Sequence, residues 1–510
     1  MPVRWHGVSV ALPALGAVAL GATLAATSLP STWAWLAPLP LSGVFALLAA
    51  PGVGARAAFF RAFLAGLGFF GVHLAWLPES LGSLFGPAGA VPAALLPLPL
   101  ALMWGVAGGA TRGLTGRLAL AALPFAWTLL DGLRSLGPLG FTWGTLGYSF
   151  AGTPIVQVAD LGGVGLLDLL VTGLAAGGAA MLLQALGHSR LDWRWFALAP
   201  VAAALSLAYG VTRPQPARPD KTALLVQGSV DPLRRARERQ ASELVLYDGL
   251  TRQGLARAAR RGTRVNLVVW PETAAPASPE VTAIARTLDA LNVPMVVGAP
   301  SLIGSERRNS AFAYDRGVRG RFDKVKLVPF GEFFPLRKAL GFVYGPIFSA
   351  LGLSGLKGET PGGSPVPLSL SGQNLGVYIC YESTFPAVAR ALVNRGAGVL
   401  VNISNDAWFG RGVGAEQHFL MGRVRAIETR RYLLRAGNDG VTAAIDPSGR
   451  TLARLPRGAR GALIAPYAEL RGLTPYTRLG DWPAVASALA LALLARCGRS
   501  SRQGGALHVS

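Results

Sequence analysis

The chain has 510 residues, 51% of them hydrophobic and only 15% charged, with a mean hydropathy of +0.41. That balance excludes an ordinary soluble enzyme, because the apolar residues crowd 8–210 and return near 482–496, as membrane segments do. The net charge of +22 comes mostly from arginine. The arginines form no single helix face and accompany no zinc-finger or helix-turn-helix pattern, so nucleic acid is not the expected partner; many flank apolar segments, where anionic headgroups lie.

Seven apolar segments precede residue 211, near 8–28, 34–51, 57–77, 87–109, 115–133, 160–184 and 194–210, and an eighth covers 481–496. Several are short or contain Pro and Gly, which bundles tolerate when neighbours or water satisfy the freed backbone groups. Arg4 precedes the first run in the manner of a signal peptide. Further apolar segments follow closely, so the first is read as a retained span. Arg4, then Arg56 and Arg61, then Arg112 and Arg117, then Arg190 and Arg194 fall in alternate connections, with Arg496, Arg499 and Arg502 in the tail. Arg134 is the main exception. The positive-inside rule then puts the arginine-rich side in the cytoplasm and 211–480 on the opposite side.

The stretch VTRPQPARPD (211–220) reads as a Pro-rich linker, after which the composition changes. KTALLVQGSV (221–230) is expected to be a buried strand ending at Gly228, and 233–260 a charged helix. VNLVVW (265–270) is a second strand, 280–291 a helix, 293–300 a third strand and RNSAFAYD (308–315) a fourth, leading into GVRGRFDK. Residues 351–368 are rich in Gly and Pro and read as a loop. LGVYIC (375–380) is a strand followed by a helix to about 395, GVLVNIS (398–404) another strand, 415–430 a helix, and 433–450 a strand, turn and strand. Strands interleaved with helices imply an α/β domain with its reactive groups at strand ends. The expected division is 1–210 membrane domain, 211–480 catalytic domain and 481–510 final span and tail.

Three short stretches put polar groups where strands stop. In WPET, Glu272 follows the strand 265–270. In RFDKVKLVPFGE, Lys324 and Lys326 precede an apolar stop and Glu332 follows it. In GVYICYES, Cys380 ends a strand. The chemistry of a thiol nucleophile needs such a set. A carboxylate takes the thiol proton and later returns it, an ammonium lowers the thiol pKa and stabilises an oxyanion, and N–H groups at a helix start complete the oxyanion site. Taken singly, each residue has a plainer reading: a cysteine after an apolar strand is usually core, Glu272 caps a helix, Lys324 pairs on the surface and Glu332 closes a turn. The chain has five histidines. His418 is the nearest candidate for a Cys–His pair, and it would have to meet Cys380 from a distance in sequence. Two cysteines, Cys380 and Cys497, cannot form a disulfide framework, and both are expected to be unpaired. No cluster has the residue types and spacing of a metal site.

In combination and in this order, WPE, DKVKLVPFGE and GVYICYE resemble the nitrilase, or carbon–nitrogen hydrolase, superfamily. With the membrane segments, GLGFFGVHLAWL (66–77), GFTWGTLGYS (140–149), LVQGS (225–229), NISNDAWFG (402–410) and the stretch 418–446, the chain is similar to the apolipoprotein N-acyltransferase family of Gram-negative bacteria along nearly its whole length. The resemblance implies a helical transmembrane bundle joined to a four-layer αββα sandwich. It implies Glu272 as general base, Lys324 as oxyanion stabiliser, Cys380 as nucleophile and Glu332 as a further active-site carboxylate. Tyr381 and Glu382 follow the nucleophile as in the family, and Asn405, Asp406 and Trp408 align with a loop near the acyl site. The family's tryptophan after the QG motif is missing from SVDPLRRARERQ (229–240).

The implied reaction is two-step acyl transfer without metal or cofactor. An acyl chain leaves the sn-1 position of a phospholipid, phosphatidylethanolamine above all, forms a thioester on Cys380, and passes to the α-amino group of the diacylglyceryl-modified N-terminal cysteine of an apolipoprotein. The implied location is the bacterial inner membrane, with the catalytic domain facing the periplasm. The aromatic residues Phe330, Phe333, Phe334, Phe342 and Tyr344 suit either a membrane-dipping lid or core packing. Trp127, Asp131, Arg134 and Trp143 suit an acyl groove, or Asp131 and Arg134 a structural pair. Two other readings share the residues: a membrane-anchored amidase that releases the acyl group to water, and a non-catalytic transporter or scaffold with a degenerate domain.

Overall fold

Apolar sequence in the first part of the chain satisfies its backbone polarity within helices. These are α1 (Val8–Ala26), α2 (Pro38–Ala49), α3 (Ala55–His73), α4 (Trp76–Phe85), α5 (Pro87–Leu95), α6 (Pro97–Thr115), α7 (Ala119–Arg134), α8 (Ala159–Ala185) and α9 (Leu198–Val211). The computed structural model describes residues 8–188, 197–230, 241–337, 339, 341–342, 345 and 358–504. Arg4, Arg190, Arg194, Tyr344 and most of the stretch expected to carry the family tryptophan lie outside them. Three described stretches are long and apolar enough to cross a bilayer, Ala55–His73, Gly89–Arg134 and Pro154–Ala185; Leu12–Ala26, Ala34–Ala49 and Leu198–Val211 are shorter apolar helices.

The fourth expected segment, 87–109, divides. Pro97 opens a new helix, because its missing N–H costs nothing in a first turn, and α6 then runs on to Thr115. The segment expected at 57–77 likewise stops at His73, before α4 begins at Trp76. Helices α1 and α3 approach through glycine: a Cβ at Gly68 would lie 2.2 Å from the Val18 carbonyl oxygen, so only the smallest residue permits the contact.

The remaining chain forms two six-stranded sheets. The strands are β1 (Lys221–Gln227), β2 (Leu267–Val269), β3 (Met295–Ile303), β4 (Glu306–Tyr314), β5 (Val318–Asp323), β6 (Leu368–Leu370), β7 (Gln373–Ile379), β8 (Val399–Ser404), β9 (Leu433–Gly437), β10 (Thr442–Ile445), β11 (Thr451–Leu455) and β12 (Gly461–Tyr467). One sheet has the order β12-β1-β2-β3-β4-β5 and the other β11-β10-β9-β8-β7-β6. Both share one plan. In each, an antiparallel pair leads into two parallel pairings, β1–β2–β3 and β7–β8–β9, and then into two antiparallel ones. Strands β6, β11 and β12 do not appear in the sequence reading. They are short, or alternate weakly, and β12 contains Pro466.

Alternation assigns the faces. Ala223, Leu225 and Val269 of the first sheet share a core with Val377, Ile379 and Val401 of the second. On the first sheet's other face, Leu224, Val226 and Val268 pack with Tyr247 of α10 (Ala241–Arg260) and Ile284 and Leu288 of α11 (Thr282–Asp289). Helices α12 (Pro386–Asn394) and α13 (Gly414–Thr429) pack on the second sheet. A short helix, α14 (Pro475–Leu479), precedes the last one, α15 (Trp482–Gly504).

The helical part and the sheets meet at built contacts. Helix α8 opens at Gly162 and Gly163; Gly163 has φ +65°, and a Cβ there would lie 2.5 Å from the Tyr476 ring, which only glycine avoids. Trp76 donates from Nε1 to Gln417 at 2.9 Å, and Arg430 pairs with Asp160 at 2.8 Å. Asp131 and Arg134 form an ion pair at 2.6 Å, the structural alternative of the two raised by the sequence.

Candidate active site

Strand ends deliver the polar groups. Glu272 follows β2 and is buried. Its Oε1 accepts from Asn309 Nδ2 at 2.7 Å and from Lys324 Nζ at 3.2 Å, and its Oε2 from the Asn405 backbone N–H at 2.8 Å. Lys324 follows β5 and is 1% exposed. It also donates to Glu332 Oε1 at 2.5 Å, while the Val328 N–H holds Glu332 Oε2 at 2.8 Å. Burial alone would lower the Lys324 ammonium. The carboxylates of Glu272 and Glu332 outweigh it and hold Lys324 well above the ordinary lysine range.

Cys380 follows β7 and opens a short 3-10 helix, Cys380–Thr384, with φ +50°. It is buried, and the charges of Glu272, Lys324, Asp406 and Glu332 all act on it. Burial, then Glu272, push its thiol far up; Lys324 acts the other way and loses. Lys324 thus pulls in the direction expected from the sequence, and burial outweighs it; sulfur chemistry here calls for a base that takes the thiol proton as it attacks.

Glu382 lies in the same short helix and faces away from solvent. Its Oε1 accepts from the N–H groups of Val325 and Lys326 at 2.6 and 3.0 Å, and its Oε2 from Ile379 N–H at 2.7 Å. It therefore ties the segment after Lys324 to the end of β7. Burial pushes its carboxyl up to about 7, against the pull of those N–H groups. Tyr381 donates from its hydroxyl to the Gly140 carbonyl at 2.7 Å and stacks on Trp143 with centroids 5.9 Å apart. Trp143 in turn lies beside His418, Phe141 and Phe409, and is buried.

The NDAW loop splits by residue. Asn405 reaches Glu272 through its N–H and Asn438 through its side chain, at 3.0 Å. Asp406 is buried in an ion cluster with Arg435 at 2.6 Å and His418 at 2.9 Å. Burial would raise it, but Arg435 and His418 hold it well below the usual carboxylate range. Trp408 is 46% exposed, and its carbonyl accepts from Ser80 of α4. His418 meets the main chain of Cys380, not its thiol: Nε2 lies 3.0 Å from the Cys380 carbonyl oxygen. Phe330 and Phe342 are 63% and 76% exposed, whereas Phe333 and Phe334 are half-buried.

Asn309, Glu359 and Arg435 are absent from the sequence reading. Arg435 is a polar residue inside an otherwise apolar strand, β9, and that break in the pattern is its signal, whereas Asn309 lies in the polar first half of β4, ERRNS, where nothing sets it apart. Glu359 sits in a Gly- and Pro-rich stretch and has no such signal. Its N–H donates to the Glu332 carbonyl at 2.7 Å, and its Oε2 is buried without a hydrogen-bond partner. Among the described residues, no group of His, Cys, Asp and Glu has the arrangement of a metal site.

The chain is similar to known proteins along most of its length. Residues 232–474 match the carbon–nitrogen hydrolase family, and residues 20–177 match the apolipoprotein N-acyltransferase N-terminal domain. The chain is 34% identical to an apolipoprotein N-acyltransferase from Azotobacter vinelandii, over 89% of this chain and 90% of that one. It is 31% identical to that of Geobacter metallireducens, over 93% and 94%. Among solved structures, a carbon–nitrogen hydrolase from Helicobacter pylori aligns with 48% of this chain and 88% of its own, at 17% identity and a TM-score of 0.36. Matched over nearly its full length by relatives above 30% identity, the chain belongs to the apolipoprotein N-acyltransferase family of the nitrilase, or carbon–nitrogen hydrolase, superfamily.

Proposed function

We propose that the protein is a membrane-embedded acyltransferase with a Glu272–Lys324–Cys380 triad. Residues 1–210 form the membrane domain, 211–480 an extracytoplasmic four-layer αββα domain, and 481–510 the final span and cytoplasmic tail, in the inner membrane of a Gram-negative bacterium. Glu272 takes the Cys380 proton as sulfur attacks the sn-1 ester carbonyl of a phospholipid such as phosphatidylethanolamine. Lys324 faces the oxyanion that forms. The carbon–oxygen bond breaks, the lysophospholipid leaves with the proton returned from Glu272, and the acyl group stays as a thioester. The α-amino group of a diacylglyceryl-modified lipoprotein cysteine then loses a proton to Glu272, attacks, and leaves as an amide while the thiol regains a proton. Glu332 holds Lys324 in place.

The observation that carries this reading is the buried bridge Glu272–Lys324–Glu332 beside the buried Cys380, in a chain whose relatives are N-acyltransferases. The contact from Tyr381 to Gly140 favours membrane-bound substrates, because it joins the residue after the nucleophile to the helical part. A soluble site would have to extract each acyl chain at roughly 0.8 kcal/mol per CH₂. The test is mass spectrometry after incubation with phospholipid labelled in its sn-1 chain. One acyl group is expected on Cys380, stable in water and discharged by a diacylglyceryl-cysteine peptide. Rapid release by water alone would overturn transfer in favour of amidase chemistry.

A further inference from the structure

Cys380 carries a conformation that needs holding. Its φ of +50° lies in the left-handed region, which a residue with a Cβ rarely adopts. The hold is a buried polar chain behind it. His418 Nε2 lies 3.0 Å from the Cys380 carbonyl oxygen and 2.7 Å from Ser383 Oγ. His418 Nδ1 lies 2.9 Å from Asp406 Oδ1, which also accepts from Ser404 Oγ at 2.6 Å. Arg435 Nη2 donates to Asp406 Oδ2 at 2.6 Å and passes 3.1 Å from His418 Nδ1. Ser383, Asp406 and His418 are completely buried, and Arg435 is 1% exposed.

The order Ser383–His418–Asp406 has the geometry of a serine-nucleophile triad. Here it faces the wrong way to act as one, since Ser383 is sealed from any substrate and the imidazole is turned toward a main-chain carbonyl. A carbonyl oxygen only accepts, so its bond to Nε2 needs the proton on Nε2, and Asp406 on the opposite side holds the ring in place through Nδ1.

We propose that Asp406 and His418 form a positioning relay that fixes the Cys380–Tyr381 peptide plane and thereby aims the Tyr381 N–H at the oxyanion. The peptide is planar and trans, so its C=O and N–H point in opposite directions. Anchoring the carbonyl on His418 turns the Tyr381 N–H away from the relay. That N–H belongs to the first turn of the Cys380–Thr384 helix, where no intrahelical acceptor exists. With Lys324 it supplies the second donor to the oxyanion. The relay rests on the thioester chemistry proposed above, and none of its side chains touches substrate.

The test is the carbonyl stretch of the Cys380 thioester, read by infrared difference spectroscopy with a phospholipid carrying a carbon-13 ester carbonyl, together with the rate of acylation. His418→Leu removes the donor at similar volume. It is expected to raise the stretch frequency and slow acylation about 10²-fold, with phospholipid binding unchanged. His418→Gln places an amide N–H near the position of Nε2 and is expected to recover at least about tenfold of that loss. Ser383→Ala is expected to leave the acyl group on Cys380, with rate and frequency near those of the unaltered protein. A folded His418→Leu protein with unaltered frequency and rate would overturn the relay, as would His418→Gln no better than His418→Leu. If His418→Leu does not fold, Asp406→Asn decides: slower acylation with a raised stretch frequency supports the relay, and a folded Asp406→Asn protein with unaltered rate and frequency ends it. An unaltered protein that acquires no acyl group on Cys380 overturns the thioester reading and the relay with it, whereas normal acylation with unaffected His418 variants counts against the relay alone.

Discussion

The backbone N–H of Asn405 donates to Oε2 of Glu272 at 2.8 Å, so the end of β8 holds a carboxylate that extends from the end of β2. These two strands occupy the same position in their sheets, each parallel to both neighbours. The site is therefore built where equivalent ends of a twice-used plan face each other. One end supplies a carboxylate and the other a fixed donor. Asn309 holds the other oxygen at 2.7 Å beside Lys324, which leaves Glu272 little rotational freedom.

Lys324 is the only cation bonded to both Glu272 and Glu332 among the described residues, and all three side chains are at least four-fifths buried. Lys324→Met leaves two buried carboxylates without it. A loss of about 3–5 kcal/mol in stability is expected, together with loss of acyl-enzyme. Thermal unfolding in detergent measures the first and mass spectrometry the second. Lys324→Met in a Glu272→Gln background should recover part of the stability and none of the activity; equal instability in both would show that the charges are not the cause.

Glu382→Gln tests the clamp between β7 and the Lys324 segment. The carboxylate accepts on both oxygens, three N–H groups in all. A glutamine has only one accepting oxygen, so either Ile379 or the Val325–Lys326 pair must face an NH₂ group. The expected cost is about 1–3 kcal/mol, with slower acylation because Lys324 loses its mooring. Unfolding temperature and acylation rate should fall together. A variant with normal rate and lowered stability would confine Glu382 to folding.

The strands that carry Glu272, Cys380 and Asn405 were legible because each is an apolar run ended by a polar residue, the local signature of a buried strand. What meets across the sheets was not. Asp406, His418 and Arg435 come together from a short helix after β8, from α13 and from β9. No spacing rule spans three elements whose relation is tertiary. The loop NDAW shows the limit within four residues: Asn405 turns to Glu272, Asp406 into the ion cluster, and Trp408 out beside α4. The side-chain directions of a 3-10 turn decide this, and the sequence pattern there carries no periodicity to reveal them. Strand β12 does not show in the sequence because its alternation is weak and Pro466 breaks the strand signal.

Cys380→Ser is expected to abolish the acyl-enzyme while leaving the fold intact, because the hydroxyl is close in size to the thiol and the strained backbone is held by other groups. Cys497→Ala, at an exposed position on α15, should change stability by no more than about 0.5 kcal/mol and leave acylation unaltered. Acyl-enzyme mapped by peptide mass spectrometry separates the two. Label at position 380 in Cys380→Ser would refute the assignment of the nucleophile.

Glu359 makes stability depend on pH in a direction opposite to that of most carboxylates. Its Oε2 is buried without a hydrogen-bond partner, its Oε1 reaches Arg307 only at 3.7 Å, and it lies beside Glu332. Burial, then the charge of Glu332, push its carboxyl from 4.5 up to about 7. Between these values the folded chain keeps a proton that the unfolded chain has lost. Folding then binds protons, and stability falls as pH rises through the window. Below about pH 4.5 both states are protonated and the penalty is absent; above about pH 7 both are ionised and the penalty is complete. Glu359→Gln removes the ionisation. The variant should match the unaltered protein at low pH and exceed it by up to about 3 kcal/mol above pH 7. Unfolding temperatures of both proteins, measured in one detergent at steps from pH 4 to 8, give the difference directly. A difference that does not change with pH would show that Glu359 is ionised throughout, and that Arg307 or solvent reaches it more effectively than its geometry implies.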